Sequence, residues 1–268
     1  MAAISNPVPK VPALADPPAV RYAGIASPAP VISIRDPKTH CMTCSMRERC
    51  LPAGLAVDEL KQVDALIAHG IKLKKQEPLY RAGEVFHALY AIRSGSLKTS
   101  VLAEDGREQM VGYHMLGEIV GFDGIGIELH GCEAIALEDT EVCALPFASI
   151  ENLARIMPAL QHNLHQVLSN EIIRDQGAML FLGRMRADER LAVFLLNLAE
   201  RYRRRGYSST EYVLRVTREE IGSYLGLKLE TVSRLFSRFQ GEGLIQVQGR
   251  AVKLLDAVAL KRIVGQRR

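Results

Sequence analysis

The chain has 268 residues, 48% of them hydrophobic, which is enough for a sizeable core and more than one domain usually needs. We expect no membrane span and no signal peptide, hence a cytoplasmic protein, because the sequence has neither a run of about eighteen apolar residues nor an apolar leader. Residues 1–179 contain 16 Lys and Arg against 21 Asp and Glu, whereas residues 180–268 contain 18 against 9. The basic C-terminal part is therefore the expected nucleic-acid surface.

Residues 1–30 are rich in proline and alanine, carry little charge and show no periodicity. Such a segment buries too little apolar surface to offset the entropy lost on folding, so we expect a disordered tail.

Three of the five cysteines, Cys41, Cys44 and Cys50, lie within ten residues in a Cys-x2-Cys-x5-Cys spacing. A buried structural cysteine acts as a small hydrophobe and needs no thiol neighbours, so the spacing indicates shared ligation. Three thiolates from one loop and a distant fourth would form a tetrahedral sulfur site that zinc and iron–sulfur clusters both accept. Cys132 and Cys143 are the candidates for the fourth ligand. The alternative is a set of unligated thiols in a reducing cytosol.

A helix is predicted from Leu55 to Ile67, where apolar residues recur at helical spacing. From Leu73 to Phe147 the pattern changes to short alternating segments, with a strand, turn and strand around Gly95 and a hairpin at Asp105-Gly106. Several such strands at close spacing predict an antiparallel roll or barrel. Cys143 lies near the end of this region, where a fourth thiolate would tie the cysteine loop to the barrel.

Pro158 begins a long predicted helix that runs to about Gly183. Residues along it are separated by four, three, four and three positions, which is a heptad seam: Leu168, Ile172, Asp175, Met179 and Leu182. An amphipathic helix lying on the barrel is the alternative, since the seam spans only two heptads. A carboxylate where an apolar residue is expected favours a tuned helix–helix contact. In a parallel homodimer, two Asp175 carboxylates would approach each other and oppose association.

The C-terminal part is predicted to contain a helix from Asp188 to about Arg205, then two short helices. Thr217 to Glu220 form a capping box at the start of the first, Gly226 makes the turn, and the second runs from Leu229 to Gln240. The segment after it, up to Leu254, alternates like a hairpin. Two short helices joined by a glycine-containing turn in a basic segment indicate a winged helix-turn-helix, which binds double-stranded DNA. The alternative is a small helical bundle that binds no nucleic acid.

The second of these helices is the expected reading element. Its spacing places Glu230, Ser233 and Arg234 on one face, opposite its apolar residues. Arginine suits the O6 and N7 atoms of guanine, and glutamate accepts a hydrogen bond from cytosine N4. We therefore expect these three side chains to contact base edges in the major groove.

Over roughly residues 39–265 the chain resembles the FNR-type regulators of the CRP/FNR superfamily. The resemblance is carried by four stretches: His40-Cys41-x-x-Cys44-Ser45, Leu89 to Gly95, Gly121-Phe122-Asp123, and Glu230 to Leu235. It implies an α+β fold with an N-terminal cyclic-nucleotide-binding-like antiparallel β-roll, a long dimerisation helix and a C-terminal winged helix-turn-helix. We expect a sensory domain over 31–157, the dimerisation helix over 158–183 and the DNA-binding domain over 184–268.

The resemblance implies an oxygen-sensing transcriptional regulator that works as a homodimer and is not an enzyme. It implies an oxygen-labile [4Fe-4S] cluster that promotes dimerisation and DNA binding, with palindromic TTGAT-type half-sites and RNA polymerase as a further partner. Cys132 matches no ligand position of that family. The implied ligands are Cys41, Cys44, Cys50 and Cys143.

One departure and several alternatives stay open. Arg49, beside the third ligand, stands where the family more often has an apolar residue, and a cation there would change the potential of an anionic cluster and its exposure to oxygen. A structural zinc would use the same thiolates. A cyclic-nucleotide receptor would hold the phosphate with an arginine, and residues 124–133 contain none. Sensing through a haem bound by His40 or His114 is a weaker alternative. An enzyme is weaker still, because no catalytic motif supports it.

Overall fold

The computed structural model of the chain describes residues 40–67, 70–102 and 106–265. The predicted disordered tail, residues 1–30, lies outside these ranges. Helix α1 spans Val57–Leu66, inside the predicted segment from Leu55 to Ile67. Its first turn contains Asp58 and Glu59, whose negative charges suit a helix N-terminus. The Glu59 carboxylate also accepts a hydrogen bond from the Ala56 amide at 2.9 Å, which satisfies a backbone donor that the helix leaves free.

In the described ranges, eight strands between α1 and the long helix form an antiparallel roll, as predicted. They pair in two four-stranded sheets, with the orders β1-β8-β3-β6 and β2-β7-β4-β5. Their bounds are β1 Gly70–Leu73, β2 Pro78–Tyr80, β3 Ala88–Ser94, β4 Ser96–Leu102, β5 Glu108–Met115, β6 Ile119–Val120, β7 Glu133–Ala136 and β8 Thr140–Pro146.

The turn at Gly95 connects the two sheets. β3 pairs with β6 and β8, whereas β4 pairs with β5 and β7, so this strand, turn and strand unit is a corner of the roll rather than a hairpin. Gly95 has a φ of 82°, a left-handed conformation that glycine adopts without steric cost. The predicted hairpin is confirmed, because β4 pairs directly with β5. Asp105 lies outside the described residues.

The helices and the wing also follow the prediction. After α2 (Phe147–Ile156) comes the long helix α3 (Pro158–Arg184). Among the described residues, none of the helices combines the length and the hydrophobicity of a membrane span. The C-terminal elements are α4 Ala187–Arg204, β9 Glu211–Val213, α5 Arg218–Leu225, α6 Leu229–Gly241, β10 Ile245–Gln248, β11 Ala251–Leu254 and α7 Ala257–Gly265. The strands β10, β11 and β9 form one antiparallel sheet. α5, α6 and this sheet are the winged helix-turn-helix.

Apolar cores hold the layers together. One fills the roll between its two sheets and includes Leu97 and Val142. Another joins α1, α2 and the start of α3 to the outer face of the first sheet and buries Ile150 completely. A third joins the C-terminal helices to the wing and includes Met110 and Met115 of β5. Because β5 contributes to this last core, the C-terminal elements pack directly on the roll.

One largely buried carboxylate, that of Glu118, links the roll to α3 and α4. It accepts hydrogen bonds from Arg201 at 2.7 Å and from Arg205 at 2.5 Å, and Arg174 of α3 lies 3.6 Å away. Burial alone would raise the pKa of Glu118, but the three guanidinium groups outweigh burial and hold the pKa well below its ordinary value of 4.5. Glu118 is therefore ionised in the folded protein at neutral pH.

Replacing Glu118 with glutamine should destabilise the fold by about 3–5 kcal/mol at pH 7, because three arginines lose their shared counter-charge. The pKa of Glu118 is lowered in the folded state, so its stabilisation is complete above the ordinary value of 4.5 and is lost as the pH falls below it. Urea unfolding of the wild type and of Glu118→Gln should therefore differ less at pH 3 than at pH 7. Glu151→Gln, at an exposed pair with Arg155, is the control and should change stability by less than about 1 kcal/mol. An equal difference at both pH values would contradict the assignment to the carboxylate charge.

Candidate functional site

Two short 3₁₀ turns shape the cysteine loop. They span Cys41–Thr43 and Arg47–Arg49, and the amides of Cys44 and Cys50 each close a turn with a hydrogen bond of 3.2 Å. This local folding needs no strand or long helix, because each turn is closed by its own backbone. The two turns place all three loop cysteines around one pocket.

Cys143 reaches the same pocket from β8. This strand lies inside the first sheet, and Cys143 is paired with Gly70 of β1 on one side and with Ala91 of β3 on the other. Residues paired in this way point to the same face of a sheet. Because both neighbours are small, they leave space beside the Cys143 side chain. The structure thus brings Cys143 and the three loop cysteines together.

The pocket that the four cysteines share is narrow, with a volume of about 30 Å³. Much of its wall is apolar, and Arg47 and Arg93 also line it. An apolar wall lowers the local dielectric constant, whereas the two guanidinium groups are already paired, Arg47 with Glu48 at 2.8 Å and Arg93 with Glu141 at 2.7 Å. The apolar lining consists of Met46, Pro52, Val63, Ile67, Ala91, Ile92 and Leu145.

The thiols affect one another's ionisation. Burial and, to a smaller extent, repulsion by Cys143 and Cys44 raise the pKa of Cys50 to about 12, although a backbone hydrogen bond from Leu51 opposes them. The pKa of Cys41 is raised in the same way, by burial first and then by Cys50. Both thiols are therefore protonated at neutral pH and must release a proton to bind a metal.

The donor set fits a soft metal centre by its chemistry, since four thiols around one apolar pocket are the ligands that zinc and iron–sulfur clusters take. The side chains are not arranged as a closed ligand shell. Within residues 40–67, 70–102 and 106–265, no three His, Cys, Asp or Glu side chains stand where they could hold a metal ion.

Two polar side chains from distant parts of the sequence anchor the ends of the cysteine loop. Asp64 of α1 accepts a hydrogen bond from the backbone N–H of Cys41, and its other oxygen lies 2.7 Å from Nδ1 of His40. At the far end, Asn163 of α3 donates hydrogen bonds to the carbonyls of Leu51 and Ala53, at 2.9 and 2.8 Å. Sequence reasoning missed both residues, because neither belongs to a local motif. The loop is thereby attached to α1 and to the long helix.

Cys132 lies away from this pocket. It is buried in the roll, and its thiol is 3.4 Å from a carboxylate oxygen of Asp123. The same oxygen accepts hydrogen bonds from the amides of Gly131 and Cys132, at 2.7 and 3.2 Å. Cys132 therefore belongs to a local turn contact at the end of the roll.

The helix-turn-helix is fixed by a capping box and a glycine turn. Thr217 accepts a hydrogen bond from the Glu220 amide at 3.1 Å, and the Glu220 carboxylate accepts one from the Thr217 amide at 2.7 Å. Gly226 ends α5 in the left-handed conformation, with φ of 63°. These local bonds set the angle at which α6 leaves the turn.

The second helix, α6, has one buried and one exposed face. Val232 and Phe239 are fully buried against the other C-terminal elements, whereas Glu230, Ser233 and Arg234 are exposed. The three predicted base-contacting residues therefore lie together on the solvent side of α6. Their contact with DNA stays a prediction.

Two domain families match the chain. The Crp-like helix-turn-helix domain matches residues 189–263, and the cyclic nucleotide-binding domain matches residues 71–156. The transcriptional activator protein anr of Pseudomonas aeruginosa is 43% identical over 229 residues, which is 85% of this chain and 94% of that protein. The chain belongs to the CRP/FNR family. It is therefore a DNA-binding transcriptional regulator that forms dimers, and not an enzyme.

Further CRP/FNR proteins agree in sequence and in fold. The fumarate and nitrate reduction regulatory protein of Salmonella typhimurium is 41% identical over 229 residues, which is 85% of this chain and 92% of that protein. The structure of FixK2 from Bradyrhizobium japonicum superimposes with a TM-score of 0.70 at 30% identity, covering 76% of this chain and 100% of that one. The predicted fold class is confirmed.

In this CRP/FNR protein, the roll cavity lacks the charges that a cyclic phosphate requires. The cavity, of about 630 Å³, lies between the roll and α3. Its wall includes the carboxylates of Asp123, Glu171 and Asp175, while Arg174 in the same wall is already paired with Glu171 at 3.0 Å. A wall with more acids than bases disfavours an anionic ligand, so the cyclic-nucleotide alternative is not favoured.

The two histidines considered for haem both have protein partners. His114 is buried, with one ring nitrogen 3.0 Å from Thr99 Oγ1 and the other 3.3 Å from Arg174. Burial lowers the pKa of His114 to about 3, with a further contribution from Arg174. His40 contacts Asp64. Because both ring nitrogens of His114 have protein partners, His114 is disfavoured as a haem ligand.

The predicted seam lies along one side of α3. All five residues of the seam line the roll cavity. Of these, Ile172 and Met179 are 58% and 72% exposed. Burial raises the pKa of Asp175, although Arg174 partly offsets this effect. Ile173 and Leu180 are exposed beside the seam, so the apolar strip is wider than the heptad spacing indicates. The role of this strip in the dimer stays a prediction.

Proposed function

We propose that this regulator senses oxygen in the cytoplasm through a [4Fe-4S] cluster held by Cys41, Cys44, Cys50 and Cys143. The observation that carries the proposal is the single pocket lined by these four cysteines. The fifth cysteine, Cys132, lies outside it. A relative named for the regulation of fumarate and nitrate reduction supports an anaerobic role, because both compounds replace oxygen as electron acceptors.

When bound, the cluster supplies an oxygen-labile link between the cysteine loop and β8. The chain itself connects the loop to α3, since Asn163 binds the carbonyls of Leu51 and Ala53. When the loop is attached both to β8 and to α3, it holds α3 in the position that favours association with α3 of the second protomer. A released loop removes that support, and the repulsion between two Asp175 carboxylates then opposes the dimer.

We further propose that the dimer binds palindromic TTGAT-type half-sites about one helical turn apart and that RNA polymerase is a further partner. The exposed face of α6 supports this proposal, because it presents an arginine, a serine and a glutamate to solvent. Arg234 suits guanine and Glu230 suits cytosine, so both would specify G·C positions.

Replacing any one of Cys41, Cys44, Cys50 and Cys143 with alanine should abolish the cluster, because three ligands leave an open and labile coordination site. Iron and acid-labile sulfide, together with visible absorption of anaerobically purified protein, measure the result. Cys132→Ala is the matched control and should retain both iron and sulfide. A full cluster in Cys143→Ala and none in Cys132→Ala would contradict the ligand set. Zinc without sulfide would contradict the cluster while leaving the four ligands in place.

Arg234→Ala should cost about 1–3 kcal/mol of specific DNA-binding free energy and relax discrimination at one base position, because the bidentate contact to guanine is lost. Selection of binding sites from a random pool measures the change. Lys253→Ala, at an exposed wing position, is the control and should leave the selected sequence unchanged whatever its effect on affinity. An unchanged sequence for Arg234→Ala as well would remove Arg234 from base recognition.

Asp175→Ala should dimerise and bind DNA in air without a cluster. Two like charges a few ångströms apart at a protein interface repel by about 1–4 kcal/mol, and alanine removes that repulsion. Sedimentation and gel-shift measurements under aerobic conditions report the outcome. Glu151→Ala removes one exposed charge from α2 and should stay monomeric. A monomeric Asp175→Ala that ignores DNA would refute the role of this carboxylate.

A further inference from the structure

Besides the cysteine pocket and the roll cavity, a further large cavity lies between the roll, α3 and α4. Its volume is about 530 Å³. Among the described residues that line it, Glu118 is the one carboxylate, and five side chains are guanidinium groups. The arginines come from the cysteine loop, the long helix and the first C-terminal helix: Arg49, Arg174, Arg201, Arg204 and Arg205.

The positive charge of this cavity exceeds what its own carboxylate neutralises. Arg201 and Arg205 share the two oxygens of Glu118, whereas Arg174 lies 3.6 Å from Glu118 and is paired more closely, at 3.0 Å, with Glu171 outside the cavity lining. Burial lowers the pKa of Arg205, and the charges of Arg201 and Arg174 lower it further, although Glu118 opposes both effects. A largely buried surplus of positive charge is unfavourable, and an anion in the cavity would relieve it.

The remaining two arginines border the cavity from more exposed positions. The side chain of Arg204 is 69% exposed and is paired with Glu200 at 2.9 Å. Arg49 is exposed and lies beside Gly117. A Cβ atom added at Gly117 would be 3.4 Å from the Cβ atom of Arg49. Arg49, next to the third cysteine of the loop, therefore borders this cavity.

We propose that this cavity binds a small polyphosphate anion, either the diphosphate group of a nucleotide or free pyrophosphate. Planar guanidinium groups form paired, charge-assisted hydrogen bonds with phosphate oxygens, and several of them around one space suit a ligand with more than one phosphate. The volume lies in the range of small-molecule sites, about 300–1,000 Å³. The bound anion would hold the cysteine loop, α3 and α4 together.

The test is calorimetric titration of the full-length chain, prepared anaerobically, with pyrophosphate and with ADP at constant ionic strength. We expect saturable binding of one anion per chain. Arg204→Ala should weaken it about tenfold, the effect of losing one charge-assisted hydrogen bond. Arg203→Ala is the matched control, because Arg203 neighbours Arg204, is paired with the same Glu200 at 2.7 Å and does not line the cavity. It should bind like the wild type.

Two further variants distinguish an anion site in this cavity from a purely structural arginine cluster and from anion binding on α6. Arg49→Ala should weaken binding about tenfold, because Arg49 lines the cavity from an exposed position, whereas a purely structural arginine cluster would leave anion binding unchanged. Arg234→Ala should bind normally; weaker binding in that variant would place the anion on the DNA-reading face and overturn the proposal. No saturable binding up to about 10 mM, or equal losses in Arg203→Ala and Arg204→Ala, would also overturn it. Tighter binding of ADP identifies a nucleotide, and equal binding of both identifies the diphosphate group alone.

Discussion

The ion pairs of Glu118 connect the roll, the long helix and the C-terminal helices. One carboxylate just after β5 serves Arg201 and Arg205 of α4 and its C-terminal end and lies near Arg174 of α3. The residue before it, Gly117, packs against the cysteine loop. Because a largely buried charge cannot exchange its partners without a large cost, displacement of any one element strains the others. The distance between the cysteine pocket and α4 is therefore bridged by a few direct contacts.

The four cysteines differ in how firmly the fold holds them. Cys143 belongs to β8, which has a hydrogen-bonded strand on each side. The other three lie in a loop made of short turns, attached through Asp64 at one end and Asn163 at the other. Segments with few backbone bonds open more readily than the interior of a sheet. A cluster bound by all four cysteines would therefore attach the more mobile cysteine loop to the rigid strand β8. A labile switch requires this arrangement.

The sequence predicted the elements well and the long-range contacts poorly. Periodicity and capping signals are local, so the roll, the long helix and the helix-turn-helix could be found from them. Asp64 and Asn163 lie 23 and 112 residues from the groups they bind, and no local pattern marks such pairs. Spacing alone also left Cys132 and Cys143 as equal candidates, and only the resemblance separated them. The structure shows that they lie in different surroundings, because Gly70 and Ala91 make room beside Cys143 whereas Cys132 contacts Asp123.

If the exposed strip of α3 is the dimer contact, as proposed above, association rather than folding is the step that a small signal can control. Ile172, Ile173, Met179 and Leu180 are all more than half exposed, although each is apolar. Burying such a side chain completely is worth about 1.5–3 kcal/mol, and somewhat more than half of each is still exposed, so the four from each protomer together gain about 7–15 kcal/mol. Association itself costs about 4–15 kcal/mol. Gain and cost are of similar size, so with this dimer contact an interaction of a few kcal/mol at Asp175 or at the attachment of the cysteine loop would be large enough to decide between monomer and dimer.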